Sequence, residues 1–336
     1  MFFKYPGKLF LIGEFAIVET NSLAVVSAVN HFLDVTIDFA PTFEIRSSHG
    51  RLKGDECFTS KLMPHVHYSL KVLHQIIDMK PFKMVIHSGL EVDGVKVGFG
   101  SSGVVVVAVL DSVLRLHGYE YDPMTLFKLA SLVQREMDEF SSGGDLAASV
   151  FKDTVVYQSY DRRWLKAQNT PIQNLIHMDW PYLKIEPLDF GDLFSIHIGW
   201  TGVPNITSKS TFAVSIFAKE QPLVYKDWLT RANKQTQKFI DAVHRNSKKN
   251  ALSAIKEYRQ LMLELGQLSG IFIETESLKN LIDLSPYPAK VSGSGGGDCG
   301  IVFASNDAKE SLVKIWRDHN IKYIEGGTYH EHTITT

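Results

Sequence analysis

Gly98-Phe-Gly-Ser-Ser-Gly103 runs directly into Val104-Val-Val-Val-Ala-Val-Leu110, and the reading of this junction decides the fold. Glycines let backbone amides approach phosphate oxygens, and a helix starting there adds unpaired N–H groups and a favourable dipole. The hydroxyls of Ser101 and Ser102 suit phosphate or magnesium. Residues 102–117 have helical length and are apolar on nearly every face, which predicts a buried helix. Three common fingerprints overlap here without being completed. A dinucleotide fold needs a buried strand before the glycines and a second strand soon after, whereas Glu91-Val-Asp-Gly-Val-Lys-Val97 precedes them and helix follows helix. With Val105 the segment also fits a protein-kinase glycine loop, and Asp189-Phe-Gly191 imitates that family's magnesium motif. Yet no strand lysine follows the loop and no His-Arg-Asp precedes Asp189. Val104 stands where a Walker lysine belongs. A simple glycine turn capping a core helix stays open as the alternative.

Outward from this junction, residues 8–15, 23–29, 33–39 and 42–47 are short β-branched or aromatic runs that predict strands, followed by a helix over 64–79 and a strand over 84–89. Beyond it, Pro123 opens a helix to about residue 138 with Asp122 as N-cap. A short helix over 143–151 then feeds a strand at 154–158. The proline-rich stretch 171–187 is the expected domain boundary, dividing 1–185 from 186–336. The second half predicts a strand at 193–199, helices between 210 and 284, strand–loop–strand over 289–303, a helix over 307–319 and a strand near 322. The fold class is α+β in two lobes.

Two further glycine segments demand explanation. Ser292-Gly-Ser-Gly-Gly-Gly-Asp-Cys-Gly300 holds five glycines in nine residues, a large ordering cost unless a ligand or a close backbone contact requires it. A flexible linker is the bland alternative, opposed by the ordered strands expected on both sides. In Ser141-Ser-Gly-Gly-Asp145-Leu-Ala, Asp145 is either a helix N-cap or a carboxylate that accepts the proton of an attacking oxygen.

Composition narrows the field. Of 336 residues, 44% are hydrophobic, and 35 basic residues face 37 acidic ones, so no global charge bias directs the chain to nucleic acid or a membrane. Two cysteines, Cys57 and Cys299, provide no disulfide framework, and the opening residues lack a signal-peptide layout, so the cytoplasm is expected. His65, His67 and His74 predict a solvated helix face rather than a metal site. Residues 330–332 predict a frayed end or a surface strand. Arg245-Asn-Ser-Lys-Lys249 predicts a solvated turn, and Trp164, Trp180 and Trp316 predict core or lobe contacts.

Together with Pro6-Gly-Lys-Leu-Phe-Leu-Ile-Gly-Glu-Phe-Ala-Ile-Val-Glu19, the three glycine segments resemble those of the GHMP kinases, in that family's order and over essentially the whole chain. The resemblance implies a two-lobed fold, with an N-terminal lobe like ribosomal protein S5 domain 2 and a ferredoxin-like C-terminal lobe. Within the family the chain is most similar to the bacterial phosphomevalonate kinase branch. That likeness rests on Phe99-Gly-Ser-Ser-Gly103, which ends in glycine where other members often have alanine, on Gly144-Asp-Leu-Ala with Val156-Tyr-Gln-Ser-Tyr-Asp-Arg162, and on Gly199-Trp-Thr-Gly-Val-Pro-Asn-Ile-Thr-Ser208.

The resemblance implies ATP and Mg2+ as cofactors and 5-phosphomevalonate as the small-molecule partner, with a monomer or homodimer as the assembly. Mevalonate kinase activity and a non-catalytic ligand sensor are the alternatives. Lys8 and Asp145 would be catalytic. Gly98, Gly100, Ser101, Ser102 and Gly103 would wrap the ATP phosphates, with Ser102 also on magnesium. Ser142, Gly144, Thr207, Ser208 and Lys209 would hold the acceptor, and Ser292, Gly293, Gly295, Gly296 and Gly297 would close on it. Two departures stand out. The glutamate that many members place about a dozen residues before the catalytic aspartate has only Gln134 and Glu136 as candidates, and Ser294 replaces a usual alanine.

Overall fold

The computed structural model describes residues 1–92, 94–139, 141–204 and 207–331, without the side chains of 207 and 208. Two sheets organise the chain into the expected α+β lobes. The first has seven strands in the order Gly50–Lys53, Glu44–Ser47, Phe82–Ser88, Leu23–Phe39, Thr154–Gln158, Lys184–Pro187, with Phe2–Ile12 paired alongside Leu23–Phe39. The second has four, in the order Ala289–Val291, Cys299–Ala304, Ser195–Trp200, Lys322–Ile324. The expected cut at 185/186 therefore falls inside the strand Lys184–Pro187, which belongs to the first sheet.

The apolar run after the first glycine loop forms the helix Ser101–Leu116, buried along almost its whole length. It packs on the first sheet and on the helices Pro64–Leu73, Pro123–Glu136 and Gly144–Phe151. Each fully buried Val or Leu contributes about 1.5–3 kcal/mol, so this helix dominates the first lobe's core. Asp122 caps the next helix as expected, accepting from the Thr125 N–H at 2.6 Å. The second lobe sets the long helices Pro222–His244 and Lys248–Ser269 beside its sheet, joined by the expected turn near Asn246.

Three departures from local pattern occur, two of them with tertiary causes. The runs at 23–29 and 33–39 form one strand of 17 residues, because its first half pairs with Thr154–Gln158 and its second half with Phe82–Ser88 while Phe2–Ile12 runs along it. Continuous pairing overrides the local break at Asn30-His31. The helix expected over 64–79 ends at Leu73. The C-terminal segment crosses back to the first lobe instead of fraying: Thr328 bridges to Val29, Tyr329 N–H donates to Ala28 O at 2.8 Å and Glu331 N–H to Lys152 O at 3.0 Å. His330 pairs with Asp153 in this strap, and His332 lies outside the described residues.

Candidate active site

The free edge of the strand Phe2–Ile12 sets the site. Its pairing register slips between Pro6 and Lys8, a bulge that leaves Gly7 against the 98–103 loop. A Cβ there would lie 2.8 Å from Phe99 Cβ, so only glycine allows the approach. Lys8 N–H then donates to Phe99 O at 3.0 Å, and its ammonium donates to Gly98 O at 2.9 Å. Two residues on, Phe10 N–H donates to Ser292 Oγ and Phe10 O accepts from it, both at 3.0 Å. One strand edge thus binds both glycine loops.

Gly100 is the N-cap of the helix Ser101–Leu116, with φ 75 in the left-handed region that favours glycine. A Cβ on it would sit 3.0 Å from both Asp145 Cβ and Lys8 Cε, so these two side chains flank the helix start. Gly103 lies still closer to the carboxylate: a methyl there would fall 2.1 Å from Asp145 Oδ2. The glycine at this position is what makes room for Asp145.

Asp145 is the second residue of the helix Gly144–Phe151, whose N-cap is Gly143, so its carboxylate is not the capping group. Ser141 Oγ lies 3.5 Å from Asp145 Oδ1. The turn before it is held by Arg162, whose guanidinium donates to the carbonyls of Ser141 at 3.2 Å and Val18 at 3.1 Å and to Ser142 O at 2.6 Å. Burial pushes the Asp145 carboxyl above its ordinary range, against the attraction of Lys8. Burial pushes the Lys8 ammonium below its ordinary range, opposed first by Asp145 and then by Asp298. Each group's charge therefore opposes the effect of burial on the other.

The third loop is anchored by charge. Lys290, on the strand leading into it, forms a fully buried ion pair with Glu14 and also donates to Val291 O at 2.6 Å. The backbone carbonyl of Glu14 accepts from Tyr258 Oη at 2.6 Å. Burial lowers the Lys290 pKa and Glu14 counters it. Among the described residues Glu14 Oε2 has no hydrogen-bond partner, and Glu14 lines the cavity. Nothing in the sequence alone marked this pair, since its partners are 276 residues apart.

These segments surround one cavity of about 740 Å³. Of the residues expected from sequence, Lys8, Gly98, Gly100, Ser101, Ser102, Ser142, Asp145, Ser292 and Gly293 line it. Gly103 underlies Asp145, and Gly144 packs behind the wall, where a Cβ would meet Phe10 Cζ at 2.4 Å. Gly295 is pressed against Ile273 O, and Gly296 N–H donates to that carbonyl at 2.8 Å, so this part of the loop faces the protein. Gly297 is outside the lining as well. The side chains of Thr207 and Ser208 lie outside the described residues; Lys209 is exposed, and Thr211, Phe212 and Ser215 of the same helix line the cavity instead.

Gln134 is buried and Glu136 is paired with Arg135 and Lys71, so neither reaches the cavity. Glu139, six residues before Asp145 and 3.2 Å from the His65 ring, does line it, as do Glu14 and Asp298. Among the described residues no group of three His, Cys, Asp or Glu side chains gathers as a metal cage. Ser102 and Glu139 are oxygen donors of the kind that hold magnesium when substrate phosphates and waters complete its shell.

Comparison with known proteins identifies the family and the fold. Residues 65–153 match the GHMP kinases N terminal domain and residues 239–322 the GHMP kinases C terminal domain. A phosphomevalonate kinase from Streptomyces sp. (strain CL190) is 27% identical, over 92% of this chain and 91% of its own. A Lin0012 protein from Listeria innocua superposes with a TM-score of 0.92 at 30% identity, over 98% of each chain. Streptococcus pneumoniae phosphomevalonate kinase, in complex with phosphomevalonate and AMPPNP, superposes with a TM-score of 0.87 at 26% identity, over 96% of this chain and 98% of that one.

Proposed function

The chain belongs to the GHMP kinase family, and we propose that within it the chain transfers the γ-phosphoryl group of ATP to (R)-5-phosphomevalonate, giving (R)-5-diphosphomevalonate and ADP. The observation that carries this reading is the convergence of Lys8, Asp145 and both glycine loops on one cavity. The relatives that act on phosphomevalonate support the choice of acceptor.

The amides at 100–103 and the dipole of the Ser101–Leu116 helix receive the ATP phosphates. An oxygen of the acceptor phosphate attacks the γ-phosphorus while the bond to the β-bridging oxygen breaks. The acceptor is an ionised phosphate monoester near neutral pH, so the step depends on alignment and charge screening more than on a strong base. Asp145 orients the attacking group and takes its proton where one remains, and Lys8 offsets charge on the transferred group. Ser102 and Glu139 would hold Mg2+, which supplies neutralisation of the phosphate oxygens when bound.

Purified protein assayed for ADP release with each acceptor tests this reading. Faster turnover with mevalonate than with 5-phosphomevalonate would assign the neutral-hydroxyl reaction instead. Asp145→Asn is expected to bind ATP nearly as well as the wild type while kcat falls about a hundredfold or more. Unchanged turnover in that variant would remove Asp145 from the mechanism.

A further inference from the structure

Asp298 ends the third glycine loop, and the roles above leave it unused. Its φ of 56 lies in the left-handed region, where aspartate is among the few side chains tolerated. Three segments meet at this residue. Its N–H donates to Val203 O at 2.7 Å, and its carbonyl accepts from the Thr201 N–H at 3.2 Å and the Thr201 hydroxyl at 3.1 Å. Those bonds fix it to Thr201 and Val203, which precede in sequence the acceptor-binding residues proposed above. Its carboxyl group packs under the phosphate loop, where a Cβ on Gly98 would lie 2.8 Å from both its Cγ and Oδ2. On the other side of Gly98, the carbonyl accepts from the Lys8 ammonium at 2.9 Å. The next residue repeats the junction: Cys299 Sγ, buried, donates to Val97 O at 3.2 Å.

We propose that Asp298 is a positioning residue for phosphoryl transfer, holding Lys8 against the phosphate loop and fixing the acceptor segment at a set distance from it. The inference rests on the kinase reading given above. Asp298 packs against Gly98, whose carbonyl holds the Lys8 ammonium, and Asp145 lies with Lys8 against Gly100, so both carboxylates attract that ammonium, Asp145 the more strongly. With Asp145 alone, the ammonium would be drawn into a simple pair with the group that must orient the acceptor. A second carboxylate shares that attraction, so Lys8 stays beside Gly98 and Asp145 stays available.

The test is Asp298→Asn, which keeps the side-chain shape and the tolerance of left-handed φ while removing the charge. Wild-type turnover is first measured with both acceptors, because an inactive wild type breaks the kinase reading rather than this inference. In the variant, kcat is expected to fall about tenfold or more with KM for ATP changed less than about threefold. The negative charge of Asp298 raises the Lys8 pKa. Its loss should therefore move the alkaline limb of kcat/KM to lower pH. Asp298→Gly keeps the backbone bonds and the positive φ, and it carries the test if the asparagine variant does not fold. Wild-type kcat together with an unmoved alkaline limb would overturn the inference.

Discussion

The loop at 98–103 is fixed from behind by a buried helix of 16 residues, whereas the loop at 292–298 hangs between two strands and is fixed by polar contacts with distant parts of the chain. The first is ordered mainly by its own sequence, glycines at the turn and then an apolar run whose burial orders the helix and aims its amides, with Lys8 bonding the carbonyls of Phe99 and Gly98 from one side. The second depends on the Glu14–Lys290 pair, on Ser292 clasping Phe10, and on the Ile273 carbonyl receiving the Gly296 N–H. Apolar burial is tolerant of small changes, while a buried ion pair is unforgiving when one partner is lost.

The largest expected effect follows from that asymmetry. Lys290→Met leaves Glu14 buried without its cation and should cost about 3–5 kcal/mol in urea unfolding. Combining it with Glu14→Gln should recover much of the loss, since no uncompensated charge then remains. A cost under about 1 kcal/mol for Lys290→Met would remove the pair as the loop's anchor.

A smaller effect is expected on the helical side, and in rate rather than stability. Gly103→Ala places its methyl 2.1 Å from Asp145 Oδ2, so the carboxylate must move. Turnover should fall about tenfold to a hundredfold, while the melting temperature changes little because alanine favours the helix. Steady-state kinetics beside a thermal melt separates the two. Normal kcat would mean that Asp145 acts from a shifted position.

The smallest effect sharpens the comparison inside the third loop. Gly293 has φ 86 with no atom within 4 Å of a built Cβ, so Gly293→Ala pays only backbone strain, about 1–2 kcal/mol. Gly295 has φ 66 and would drive its Cβ to 2.2 Å from Ile273 O, so Gly295→Ala should be the more damaging of the pair in chemical denaturation. Equal costs would show that the loop yields around Gly295.

Much of this was legible along the chain. The opening strand with Lys8, the two loops, the buried helix after Gly103, the Asp122 cap and the carboxylate at Asp145 all follow from local pattern or family resemblance. The missed features are pairings between distant segments. The expected position of the second acidic residue pointed to Gln134 and Glu136, but those sit on the helix Pro123–Glu136 facing elsewhere, and the chain beyond it brings Glu139 to the cavity. Residues 330–332 left a frayed end and a surface strand both open, because the partners of this end, Ala28, Val29 and Lys152, are remote in sequence.

By itself the sequence determined which short segments have turn, strand or helix chemistry, because glycine conformation, hydrophobic period and capping act over a few residues. Only the tertiary structure decided which charges meet: Lys8 with Asp145 and Asp298, Glu14 with Lys290, and Glu139 on the cavity wall. Burial strengthens such interactions by removing water, and which groups are buried together is settled only when both lobes have packed.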